Sequence, residues 1–273
     1  MPAPLPAPHA DDLVGLADRL EDAITCEKLT WFGRIAVVRE TQSTQDFARM
    51  LATGRPGVVV IAGRQTAGRG RLGRKWADTS HQGVAMTFAL SAHDLPPERL
   101  SIAAGVASCC TIEAALEGTG ARVGLRWPND VVERTDGGPG KKLSGVLIEV
   151  SGPLSLIGIG INVLQAPGDW EKGLAPKVTS LNALGSAWTR AKTAERLMVE
   201  LDRALQTPAA MLAEQWTQRE LLIGRRCAFR SGGQEYRGVV EAVDPATRIR
   251  LRTDDGQTVQ LPALVTSMVH DDR

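Results

Sequence analysis

Between Gly63 and Trp76 the chain reads Gly-Arg-Gln-Thr-Ala-Gly-Arg-Gly-Arg-Leu-Gly-Arg-Lys-Trp: five cations, four glycines and no acid in fourteen positions. Guanidinium groups offer forked donors that match phosphate or carboxylate oxygens. Glycines let backbone N–H groups approach such a ligand closely. Arg64, Arg69, Arg71, Arg74 and Lys75 repel one another, so the loop is expected to stay mobile until an anion neutralises it. The apolar run Val58–Ala62 before it reads as a buried strand, from whose end the loop would hang.

Two other readings of the loop compete. Gly68-Arg69-Gly70-Arg71-Leu72-Gly73 has the spacing of the dinucleotide fingerprint, but that fingerprint must open an amphipathic helix. Residues 74–83 carry no helical apolar period, which counts against it. The loop also fits a solvated basic patch or a nucleic-acid-binding surface.

Four further stretches carry residues of chemical interest. Ser43 follows the strand-like run Ile35–Val38 and stands at a helix N-cap position, with Asp46 placed as a capping-box partner. Capping accounts for Ser43 and Thr44 by itself, although a strand-to-helix turn also gathers hydroxyls and N–H groups around ligands. In Arg126-Trp127-Pro128-Asn129-Asp130 the proline breaks a strand and throws Asn129 and Asp130 onto a turn. Lys142 opens the run Lys142–Val150, where strict alternation pairs it with Ser144 on one face and puts Leu143 and Gly145 on the other. Gly158 and Gly160 interrupt the strand Leu156–Val163, as a bulge would or as a closely approaching ligand would.

The remaining sequence supplies the frame. At 273 residues and 43% hydrophobic content, a large domain and a small one are both affordable. A net charge of +1 makes the basic cluster local, and argues with the 4% aromatic content against a dedicated nucleic-acid binder. Cys26, Cys109, Cys110 and Cys227 have no metal-ligand spacing, so neither zinc nor disulfides are expected. No apolar run is long enough for a membrane span, and the Pro/Ala-rich start lacks the features of a signal peptide. A cytoplasmic location is the default expectation.

Residues 1–10 read as disordered or extended, and 11–28 as a short helix on Leu13, Leu16, Leu20 and Ile24. Phe47, Met50 and Leu51 mark the apolar face of the helix after Ser43. Gly83–Leu90 reads as a strand, Glu98–Glu117 as a buried helix, and Thr135–Gly140 as a polar loop. Residues 191–206 and 208–221 read as helices parted by Pro208. From Gly224 onward come short strands at 226–229, 234–243, 248–253 and 258–261, a small all-β barrel. This divides the chain into an N-terminal extension (1–32), a catalytic domain (33–222) and a C-terminal domain (223–273). Nothing before residue 33 is long enough for a winged helix-turn-helix domain.

In this order, Ser43-Thr44, Gln65–Lys75, Arg126–Asp130, Lys142–Glu149 and Gly158–Asn162 together resemble the biotin protein ligase family over roughly residues 33–270. The Gly-Arg-Gly-x-x-Gly-Arg loop and the Trp-Pro-Asn-Asp turn carry most of the resemblance. It implies an α+β fold, with a mixed, largely antiparallel sheet covered by helices and a C-terminal SH3-like β-barrel. The resemblance is to the shorter, ligase-only form. The activity implied is ligation: biotin and ATP give biotinyl-5′-AMP and pyrophosphate, and biotin then passes to a lysine of the biotin carboxyl carrier protein of acetyl-CoA carboxylase.

Residue by residue, the resemblance implies that Ser43, Thr44 and Gln45 cap the biotin ureido head, with Gln65 nearby in the biotin site. Arg69, Gly70 and Arg71 belong to a loop folding over biotin and the phosphates. Lys142 stands beside the biotin carboxylate and α-phosphate, with Gly145 and Gly158 as pocket walls. Arg74, Trp76, Asn129 and Asn162 fall on the nucleotide side, and Asp130 is the candidate Mg²⁺ ligand. Arg126 stands where the family often has lysine.

A carboxylate nucleophile is already ionised at neutral pH, so the first step needs no base, only neutralisation and positioning of two anions by Arg69, Arg71, Lys142 and Mg²⁺. The second step needs a neutral amine, and Asp130 or a phosphate oxygen is the expected proton acceptor. Lipoate or octanoate ligation is the alternative within this fold, and a nucleic-acid-binding regulator the alternative outside it. A homodimer would need an exposed sheet edge, which no segment of the sequence marks.

Overall fold

The computed structural model describes residues 14–79 and 81–269. The elements are α1 (Leu16–Cys26), β1 (Arg34–Thr41), α2 (Thr44–Ala52), β2 (Val58–Gln65), β3 (Gly83–Ser91), α3 (Pro97–Ala115), β4 (Val123–Arg126), β5 (Asp130–Thr135), β6 (Gly138–Ser151) and β7 (Leu154–Asn162). After these come α4 (Arg190–Gln206), α5 (Ala209–Arg219), β8 (Arg226–Ser231), β9 (Gln234–Asp244), β10 (Arg248–Thr253), β11 (Thr258–Pro262) and β12 (Thr266–Met268). The expected residues 1–10, and the start of the expected 11–28 helix including Leu13, lie outside the described residues.

The first seven strands form one mixed sheet in the order β1-β2-β3-β7-β6-β5-β4, with only β1 and β2 parallel. The other five form an antiparallel sheet in the order β11-β10-β9-β8-β12. β12 was not among the expected strands. This second sheet is of SH3-like type and open, since its edge strands β11 and β12 do not pair with each other.

Burial follows from which face each helix covers. α2 lies on β2, β3 and β7 over a small core of Ala48, Ala52, Val58, Val60, Ala89, Leu154 and Leu156. Met50, expected on its buried face, is exposed, because the buried stripe runs instead through two small alanines that let the helix sit close to the sheet. The opposite face carries α1, α3, α4 and α5 over the main core, which continues into the second sheet where Trp127 meets Phe229 edge-on at 6.2 Å. Pro208 parts α4 from α5, as expected, and stands at the N-cap position of α5. The expected Thr135–Gly140 loop is much shorter, because β5 and β6 extend into it and leave a tight turn. Among the described residues no helix is long and apolar enough to cross a membrane.

Candidate active site

Four segments converge at one end of the large sheet: the N-terminus of α2, the loop between β2 and β3, the Trp127–Asp130 turn, and the facing stretches of β6 and β7. They enclose a cavity lined by Ser43, Thr44, Gln45, Gln65, Arg69, Gly70, Arg71, Arg74, Trp76, Asn129, Asp130, Lys142, Gly145 and Gly158. Of the residues to which the resemblance assigns a part, all line it except Asn162. The Asn162 amide is buried and donates to the carbonyls of Thr179 at 2.9 Å and Lys142 at 3.4 Å. It braces the strand behind the cavity.

The cavity has a neutral polar end. Ser43 caps α2, its hydroxyl accepting from Gln45 N at 3.3 Å. Gln65 Oε1 accepts from both Thr44 N (2.9 Å) and Thr44 Oγ1 (3.0 Å). Gln45 donates through Nε2 to the Leu147 carbonyl at 2.9 Å, while its Oε1 is buried without a protein partner. That leaves a buried acceptor without a donor on a residue of the cavity wall. Gly158 is required beside it, because a Cβ there would lie 2.7 Å from Gln45 Nε2.

The other end is cationic. Arg69, Arg71, Arg74, Lys75, Arg126 and Lys142 line the cavity against one acid, Asp130. Asp130 Oδ1 lies 2.6 Å from Lys142 Nζ and its Oδ2 lies 2.9 Å from Arg126 Nη2. Burial disfavours the Asp130 charge, but Lys142 and Arg126 outweigh it and hold the carboxyl at about 2. So low a value makes Asp130 a poor proton acceptor and an effective anchor for Lys142. Arg126, whose role the sequence left open, is buried and serves this carboxylate.

A bulge decides where Lys142 points. Val131 pairs with Ser144 but Val132 pairs with Lys142, so Leu143 is an extra residue in β6. The alternation expected for an unbroken strand therefore fails. Lys142 shares the cavity side with Gly145, where a Cβ would meet Lys142 Nζ at 2.7 Å. Gly145 pairs with Gly160 across β6 and β7, and the Trp76 indole lies over this bare floor with Lys142 Nζ 5.5 Å from its centre.

The basic loop forms a short hairpin, with Arg69 bridging to Lys75 and a 3₁₀ turn at Arg71–Gly73 in which Leu72 has φ +57°. It opens no helix, in keeping with the case against a dinucleotide fingerprint. Its missing counter-charges come from elsewhere. Arg69 pairs with Asp46 at 2.6 Å and Glu149 at 3.3 Å, and Arg49 joins the same two acids. The hydrogen bond to Asp46 raises the Arg69 pKa, and that from Arg69 lowers Asp46's. Asp46 is thus drawn to guanidinium groups and closes no capping box. Arg71 donates to Asn129 Oδ1 at 3.1 Å and to the Ala263 carbonyl, tying the loop to the second sheet. Burial lowers its pKa, opposed by Asp130.

Sequence reading missed several contributors. Glu149 was visible as the one acid in an apolar strand, Val146–Val150, but its partner was not. Thr266, Ser267 and Met268 line the cavity from the second sheet, and no local signal in the sequence marks them. Thr87 lies behind Thr44, its hydroxyl donating to Thr44 Oγ1 at 2.9 Å. It is the only polar side chain in the apolar run Val84–Leu90, which is a signal that was legible.

A resident metal is not built into this end. Among the described residues no three His, Cys, Asp or Glu side chains gather to hold an ion, and both Asp130 oxygens already face cations.

Residues 35–163 match the biotin/lipoate A/B protein ligase family. Over 241 residues the chain is 38% identical to the biotin–[acetyl-CoA-carboxylase] ligase of Mycobacterium tuberculosis, spanning 84% of this chain and 87% of that relative. It is 30% identical over 229 residues to the bifunctional ligase/repressor BirA of Bacillus subtilis, spanning 78% of this chain and 68% of that protein. The structure of the biotin protein ligase from Aquifex aeolicus in complex with biotin and ATP superposes with a TM-score of 0.74, at 25% identity, over 88% of this chain and all of that one. With such identity over most of both sequences, and this fold, the chain belongs to the biotin protein ligase family.

Proposed function

We infer that the chain is a biotin protein ligase, which joins biotin to ATP as biotinyl-5′-AMP with release of pyrophosphate and then transfers biotin to a carrier-protein lysine. One observation carries this reading: a single cavity has a neutral hydrogen-bonding end at Ser43, Thr44, Gln45 and Gln65, and an end lined by six cations and one acid. An uncharged cyclic urea suits the first end, and a carboxylate meeting a triphosphate suits the second. In support, the Mycobacterium tuberculosis relative is a biotin–[acetyl-CoA-carboxylase] ligase, and the Aquifex ligase structure is a complex with biotin and ATP.

The biotin carboxylate attacks the α-phosphorus as an ion, so the chemistry is charge neutralisation and alignment. Lys142, steered by Asp130, meets the carboxylate and α-phosphate. Arg71 closes the loop over them and keeps water from the anhydride. Arg69 joins when the anionic ligand competes with Asp46 and Glu149. Trp76, Arg74 and Asn129 stand on the nucleotide side. Magnesium, which neutralises phosphate charge, would arrive on the nucleotide, because the protein gives it no cage. Asp130 acts as the holder of Lys142, and the carrier amine loses its proton to a phosphate oxygen or to water.

ATP–pyrophosphate exchange with biotin, lipoate or octanoate supplied in turn tests the reading. Exchange with biotin alone is expected. Exchange with lipoate would move the function to the runner-up, and exchange with none would overturn the adenylation step. A salt-sensitive gel shift would revive the nucleic-acid alternative.

A further inference from the structure

We propose that Thr87 is a positioning residue that sets which ligand heads the neutral end of the cavity accepts, acting through the Thr44 hydroxyl. Thr87 is fully buried in the centre of β3, between Val60 and Gly158 on the neighbouring strands. It lies outside the cavity wall and reaches the site only through Thr44.

The hydrogen-bond inventory leaves little freedom. A backbone N–H only donates, so Thr44 N, at 2.9 Å, makes Gln65 Oε1 the acceptor end of that amide. The Thr44 hydroxyl proton goes to the same oxygen, at 3.0 Å. A hydroxyl has one proton and two lone pairs, and Thr87 Oγ1 takes one of those lone pairs at 2.9 Å. Thr44 therefore faces the cavity as an acceptor with one lone pair left, and Gln45 Oε1, buried and unpartnered, is a second acceptor on the same wall. Two acceptors fit a head with two N–H donors, such as a cyclic urea. They reject an aliphatic or disulfide-bearing head, which would leave them dry and unpaired. Valine in place of Thr87 keeps the volume and removes the donor, so the Thr44 hydroxyl is free to turn.

This inference rests on the biotin reading, and one set of assays separates the two. ATP–pyrophosphate exchange is measured for the wild type, Thr87→Val and Thr87→Ser, varying biotin and ATP separately, with lipoate and octanoate as competing acids. Thr87→Val is expected to raise the KM for biotin about tenfold, the size of one hydrogen bond. It should leave the KM for ATP unchanged and narrow the preference for biotin over lipoate, and Thr87→Ser should restore both. An unchanged biotin KM in Thr87→Val would overturn the proposal, as would equal losses for biotin and ATP, which mark a general packing defect. Should Thr87→Val fail to fold, Thr87→Cys, a weak donor of similar volume, is judged by the same criteria. No biotin-dependent exchange by the wild type would overturn the biotin reading and this inference with it.

Discussion

Asp130 holds Lys142 and Arg126 at once, one carboxylate oxygen 2.6 Å from the lysine and the other 2.9 Å from the arginine. The charge most useful to an anionic substrate is thereby aimed before any substrate arrives. Asp130→Asn should leave Arg126 buried beside a neutral amide and cost about 3 kcal/mol of stability at neutral pH. It should also lower pyrophosphate exchange. Transfer from pre-formed biotinyl-AMP should keep the shape of its pH profile, because a carboxyl held near 2 contributes no base at neutral pH. A profile that lost a limb in the variant would restore Asp130 as proton acceptor.

The same pair predicts an acid limb of stability. The Asp130 pKa is depressed on folding, from about 4 in the unfolded chain to about 2. The unfolded state therefore binds the proton more readily, so the contribution is complete above pH 4 and lost as pH falls through 2. Urea unfolding between pH 5 and pH 2 should show a fall of about 2 kcal/mol from this group, absent in Asp130→Asn.

Arg71→Gly removes the donor to Asn129 and the tie to the Ala263 carbonyl. Its loop should open more readily, release biotinyl-AMP and label exposed lysines on bystander proteins. Mass spectrometry of biotinylated lysines in a mixture of the carrier and an unrelated protein measures this. Unaltered selectivity for the carrier would show that Arg71 does not retain the intermediate.

Gly158→Ala places a Cβ 2.7 Å from Gln45 Nε2 and pushes that amide off the Leu147 carbonyl. The biotin KM should rise at least about tenfold, the equivalent of 1.4 kcal/mol, with the ATP KM little changed. Isothermal titration with each ligand separates the two effects.

Arg190, on α4, is fully buried and donates to the carbonyls of Gly83 at 2.7 Å and Ala62 at 3.2 Å, at the two ends of the basic loop. Lysine lacks the planar fork needed to serve both strands. Arg190→Lys should lower stability by about 2 kcal/mol in urea unfolding and speed proteolysis between residues 63 and 83. Unchanged cleavage would confine Arg190 to the core.

Much was legible before any coordinates. The apolar runs at 58–62, 83–90 and 156–163, the proline break after Trp127 and the glycine-rich cationic loop are local signals, each written in consecutive residues. Their order along the chain was enough for the family, and for the polar and charged residues that the first sheet and the basic loop bring to the cavity wall. What the sequence could not decide depends on pairing between distant segments. The side of β6 to which Lys142 points was misread, because the Leu143 bulge exists only in the register against β5. The counter-charges of Arg69 lie 23 and 80 residues away, and no spacing rule joins them. Asn162 was expected at the nucleotide, but it turns to backbone carbonyls supplied by Lys142 and Thr179. The second sheet is joined to the cavity by contacts between distant segments, Trp127 on Phe229 and Arg71 on the Ala263 carbonyl among them. Residue types along the chain determined which chemistry was available, whereas burial and strand register decided which groups face one another to perform it.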